Sequence, residues 1–124
     1  MNSGLPPAST RSSARLGVRL LGGFAVSIDG VEVPAGQWPA LRAAHLVQLL
    51  SLQPRHGMNR EQAIDALWPT LEPEAGAANL RKAVHFARQA LGRPDALTLQ
   101  GGMLMLWPGG PVEVDTEAFE RQAE

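Results

Sequence analysis

The chain has 124 residues, a net charge of −1, 44% hydrophobic and 19% charged residues, which is the composition of one folded domain rather than of a disordered chain. It has no cysteine, which excludes disulfides, thiolate chemistry and Cys–His metal sites. No apolar run approaches the roughly 20 residues that span a bilayer and there is no hydrophobic signal core, so a cytoplasmic protein with no membrane partner is expected.

Residues 1–15, "MNSGLPPASTRSSAR", lack hydrophobic periodicity and are expected to form a disordered leader. From Leu16 onward apolar and polar residues tend to alternate, and Asp29-Gly30 separates residues 24–28 from 31–33, a strong hairpin signal. Gly22-Gly23 interrupts the preceding strand and suggests a bulge or bend. Residues 39–53 predict a helix with Ala43, Leu46, Val47 and Leu50 on one side. Leu49 and Leu52 extend its apolar surface toward His45 and Gln48, so burial on more than one side is expected.

A turn is expected over 54–58. Asn59 followed by Gln62 resembles a capping box, and Ala63, Ile64, Leu67 and Trp68 form the stripe of a second helix that Pro69 stops. Pro73 opens a third helix, predicted over 73–91 with Gly92 as its cap. Residues 97–100 and 103–107 flank Gly101-Gly102, a second hairpin. Finally "EVDTEAFERQAE" opens like a new helix capped by Asp115 or Thr116. A helix that short is marginal alone, so the chain is expected to belong to something longer.

Charge is unevenly spread. Residues 76–93 hold Arg81, Lys82, Arg88 and Arg93 with no acid, leaving seven bases against twelve acids elsewhere. At 100° per residue, Leu80, Ala83, Val84, Ala87 and Leu91 share one side of the third helix. Arg88, Arg81, His85, Gln89 and Lys82 fill an adjacent arc. Solvated helices usually mix acids with bases, so this stripe is either a surface for a polyanion or a plain wet face. The order of elements favours the first reading: a short helix, a turn, a longer helix with a basic face and a glycine-tipped hairpin are the parts of a winged helix-turn-helix. Arg can pair with guanine and Gln or Asn with adenine in the major groove.

The segments "LRAAHLVQLLSL" (41–52), "NREQAIDALWP" (59–69) and "PEAGAANLRKAVHFARQALG" (73–92) resemble the OmpR-type winged-helix domain of bacterial regulators of the antibiotic-regulatory-protein (SARP) type. Val114-Asp115 and Phe119 also match the Val-Asp-x-x-x-Phe opening of the bacterial transcriptional activation domain (BTAD) that follows it in such regulators. The resemblance implies an α+β fold: an N-terminal antiparallel sheet, three helices and a C-terminal β-hairpin wing. After the leader over 1–15, it implies a DNA-binding domain over 16–112 and the start of a helical activation domain or linker over 113–124. The implied function is sequence-specific binding of double-stranded DNA in transcription regulation, with helix 73–91 in the major groove and loop 69–74 meeting RNA polymerase.

Carried over by position, the DNA-binding candidates are Arg60, Asn79, Arg81, Lys82, His85, Arg88 and Gln89. Arg81 and His85 are assigned to base edges and Lys82 and Arg88 to phosphates, while Arg60 starts the second helix, where unpaired amides favour anions. Asn79 lies off the stripe. The wing departs from the family: Gly101-Gly102-Met103 lacks the usual basic group, and its second strand is apolar enough to call for cover on both faces, one from the core and one from a downstream domain. A winged helix that binds an acidic protein instead of DNA is the alternative. His45, His56 and His85 fit no metal or catalytic spacing, and there is no phosphate-cradling loop, so neither an enzyme nor a cofactor is expected.

Overall fold

The computed structural model describes residues 14–34, 38 and 41–116. The leader expected over 1–15, apart from Ala14 and Arg15, lies outside them, as do Pro39, Ala40 and everything after Thr116.

The first strands follow from alternation. In β1 (Leu16–Arg19), Leu16 and Val18 point into the core while Arg19 faces out, and β2 (Ala25–Ile28) runs antiparallel with Val26 opposite Val18. The glycines at 22 and 23 form no bulge: with φ of 78° and 124° they reverse the chain between β1 and β2. The Asp29-Gly30 turn, φ 52° and 84°, leads into β3 (Val31–Glu32) as the alternation requires.

Helix α1 (Leu41–Ser51) buries Ala43, Leu46, Val47 and Leu50. Burial extends past that side, since Ala44 and Ser51 are buried and His45, Gln48 and Leu49 half-buried, but it stops short of Leu52, which is 59% exposed. The turn that follows is tighter than expected. Pro54–His56 is a single 3-10 turn, after which Gly57–Asn59 is already a strand, β4. Helix α2 (Arg60–Leu67) starts with the expected box: Glu61 N–H donates to Asn59 Oδ1 at 2.8 Å and Asn59 N–H donates to Gln62 Oε1 at 3.3 Å. Helix α3 (Pro73–Leu91) keeps its predicted bounds, from Pro73 in the first turn to Gly92 at φ 76°. It crosses α2 where Gly76 leaves room for Ile64.

Strands β5 (Leu97–Gln100) and β6 (Met103–Leu106) form the second hairpin, and β4 joins it in the order β4-β6-β5. Trp107, expected in the strand, lies just past it at φ 54°. The unanticipated strand β7 (Val112–Val114) runs parallel to β1, crossing the expected 112/113 boundary and giving the N-terminal sheet the order β3-β2-β1-β7. One core unites the layers: Leu16, Val18, Val26 and Val114 from the sheet, Leu46 and Leu50 from α1, Leu80, Val84 and Leu91 from α3, and Leu97, Leu104 and Leu106 from the hairpin. Truncating a leucine such as Leu80 to alanine here costs about 2–5 kcal/mol, so α3 is anchored along its length.

Candidate nucleic-acid interface

Helix α3 is held by its apolar side, with Leu80, Ala83, Val84, Ala87, Ala90 and Leu91 buried. The opposite side carries Arg81, Lys82, His85 and Gln89, all exposed, while Asn79 and Arg88 are half-buried. Among the described residues no carboxylate pairs with Arg81 or Lys82, since the ion pairs formed are Arg15–Glu113 and Arg93–Asp95. The His85 ring leans against that of half-buried Phe86, centroids 5.5 Å apart. Four polar side chains, two of them fixed cations, therefore stand outward on one face of a rigid helix.

Two arginines of the expected cationic cluster face elsewhere. The Arg88 Nε–H donates to the Leu97 carbonyl at 2.8 Å. Arg93 stacks on Trp107, its Cζ 4.7 Å from the ring centroid, and its Nε lies 3.3 Å from Asp95 Oδ1. For Arg88 the sequence held a signal: on the helical wheel it sits at the margin of the stripe, next to the apolar arc. Nothing local announces the Arg93–Trp107 contact, which depends on how the hairpin returns.

Arg60 is brought to the wing turn. Its backbone N–H donates to the Gly102 carbonyl at 2.8 Å, and its side-chain Nε is buried with no hydrogen-bond partner among the described residues. The wing tip itself is uncharged. Gly101 and Gly102, φ 58° and 81°, close the turn, and Met103 beyond it is 42% exposed. The second face of β6 needs less cover than its sequence suggests, because Met105 is half-buried over Gly57, where a Cβ would collide with its sulfur.

The connector between α2 and α3 is exposed from Pro69 to Glu72, with Leu71 among its outward residues, while Pro73 and Glu74 already belong to α3. Just after β7, Asp115 grips the β1–β2 turn: Leu20 N–H and Leu21 N–H donate to its two carboxylate oxygens, both at 2.9 Å. Phe119, the last residue of the Val-Asp-x-x-x-Phe match, lies outside the described residues.

Among the described residues no group of side chains could hold a metal ion, and no helix is long and apolar enough to cross a membrane.

No protein-family model and no curated protein matches the chain. Among solved structures it is similar to Mycobacterium tuberculosis EmbR in complex with a low-affinity phosphopeptide, with a TM-score of 0.58 and 23% identity over 76% of this chain. The fold is a winged helix. The two helices α2 and α3 form its helix-turn-helix and the β5–β6 hairpin its wing. The match takes in 25% of the EmbR chain, so this chain corresponds to about a quarter of that protein.

Proposed function

We propose that residues 16–112 are the sequence-specific DNA-binding domain of a SARP-type bacterial transcriptional regulator, with α3 in the major groove of double-stranded DNA. The observation that carries this reading is the outward row of Arg81, Lys82, His85 and Gln89 on the second helix of a helix-turn-helix, with no carboxylate pairing its cations among the described residues. Arg81, His85 and Gln89 are spaced i, i+4, i+8 and meet base edges, Arg81 suiting guanine O6 and N7 and Gln89 adenine N6 and N7. Lys82 and Arg60 hold flanking phosphates, while Asn79 stays at the margin. The uncharged wing contributes little to binding, which leaves recognition to α3. The exposed 69–72 connector, with the first turn of α3, suits a protein partner such as RNA polymerase. Residues 113–124 open a helical activation domain or a linker in this reading, and the protein acts in the cytoplasm without enzymatic activity of its own.

The competing reading keeps the fold and replaces DNA by an acidic protein, and the cation-free wing is what speaks for it. Selection from random duplexes separates the two. The wild type should enrich a motif; Arg81→Ala should lose a guanine column and Gln89→Ala an adenine column. Eight residues of helix span about 12 Å, so at roughly 3.4 Å per base step the columns should lie about three to four base pairs apart. A pool that stays random, or a motif indifferent to both substitutions, would overturn the DNA reading.

A further inference from the structure

We infer that Arg88 is a positioning residue, which fixes the recognition helix to the wing, and not a phosphate contact. This rests on the DNA-binding reading of α3 and assigns a different task to one of its cations. The Arg88 side chain is half-buried, and its Nε–H donates to the Leu97 carbonyl at 2.8 Å. Leu97 begins β5, the outer strand of the β4-β6-β5 sheet. A carbonyl on the outer edge of such a strand has no ladder partner and must find one elsewhere. Arg88 supplies it.

The residue is held from its other end as well. Its backbone carbonyl accepts from Gly92 N–H at 2.9 Å and from Arg93 N–H at 3.2 Å, the bonds that close the helix. A cation in the last turn of a helix is also favoured by the helix dipole. Arg93 completes the arrangement by stacking on Trp107, immediately after β6. Each strand of the wing hairpin is thus tied to the C-terminal end of α3 by one arginine. In a protein whose wing tip carries no cation, this gives the hairpin a purpose: it sets the angle of α3, and recognition needs that geometry held to about half an ångström.

Two substitutions isolate the hydrogen bond. In Arg88→Gln the side-chain amide nitrogen would stand where the arginine Nε stands, so the donor is kept and the charge removed; Arg88→Met keeps the length and removes both. Hydrogen exchange on the free protein is the first readout. Arg88→Met should speed amide exchange in β5 and β6 about tenfold or more while the β1–β2 ladder is unchanged, and Arg88→Gln should restore it. Titration of a duplex is the second. Arg88→Gln should bind within about threefold of wild type with the same salt dependence, and Arg88→Met should lose about tenfold in affinity at an unchanged slope. A slope shallower by about 0.9 in Arg88→Gln would make Arg88 a phosphate contact and overturn the proposal. So would exchange and binding in Arg88→Met equal to those of the wild type. If the wild type binds no duplex, the DNA reading fails and takes the recognition role with it, whereas the exchange contrast decides separately whether Arg88 joins α3 to β5.

Discussion

The Arg93 guanidinium lies over the indole of Trp107, 4.7 Å from the ring centroid, and also faces Asp95. Together with the Arg88–Leu97 hydrogen bond, this turns half of the local positive charge of residues 76–93 inward to hold the structure. What remains outward on α3 is Arg81 and Lys82, with Arg60 at the start of α2 as a third fixed cation.

Salt dependence of binding reads that count. Each neutralised phosphate contributes about −0.9 to the slope of log K against log salt, so two or three contacts predict a slope of about −2 to −3 per protomer. Four contacts, one for each cation of residues 76–93, predict about −3.6. Fluorescence anisotropy of a labelled duplex over a range of salt concentrations distinguishes them, and a slope at or beyond the steeper value would return Arg88 or Arg93 to the interface.

The close packing of α3 on α2 runs through Gly76. Glycine inside a helix ordinarily costs about 1 kcal/mol relative to alanine, so Gly76→Ala would stabilise an unencumbered helix. Here a Cβ would come within 2.5 Å of Ile64 Cγ2, and the β-branched Ile64 is stiff at χ1 in a helix. Overpacking of this kind costs about 1–3 kcal/mol. Urea unfolding should find Gly76→Ala destabilised in the wild-type background and neutral or stabilised in Ile64→Ala. The same sign in both backgrounds would contradict the close packing.

Asp115 should make stability sensitive to acid. Partial burial pushes its carboxyl up, but the N–H groups of Leu20, Leu21 and Thr116 and the charge of Arg19 outweigh this and hold it below the ordinary 3.8. A carboxyl depressed in the folded state contributes stability that is fully present above its unfolded pKa and is lost as pH falls through the folded one. The stability difference between wild type and Asp115→Asn should therefore be constant at neutral pH and shrink below about pH 4. A difference that stays constant down to about pH 2 would show that the ionised form plays no part.

The fold was legible where local chemistry decides it. Pro73 and Gly92 bracket a helix whose periodicity is unbroken, Asn59 and Gln62 form a box within four residues, and Asp29-Gly30 and Gly101-Gly102 take the positive φ values their turns require. What escaped depends on distant partners. Three residues are too few to show alternation, so β4 is a strand only because β6 lies beside it, and β7 pairs with β1 from the other end of the domain. Gly22-Gly23 reads as a bulge or bend, and only β2 running back along β1 shows that it reverses the chain. The apolar surface expected to extend over Leu49 and Leu52 is half-buried at Leu49 and ends in an exposed Leu52, because leucine is a permitted surface residue and periodicity does not count neighbours. In the candidate interface, sequence separated the buried side of α3 from the outward side. The wheel placed Arg88 at the margin of the two, but nothing in the sequence showed that Arg93 turns back onto Trp107.

The most direct measurement is an amide and side-chain NMR titration of the labelled 124-residue protein with a short duplex at low salt, where nonspecific binding uses the same face as recognition. The largest shifts are predicted at Arg81, Lys82, His85 and Gln89 and at the Arg60 turn, with the outward faces of β1 and β2 unmoved. Shifts centred on the N-terminal sheet, or none at any salt, would contradict the assignment of this helix to DNA.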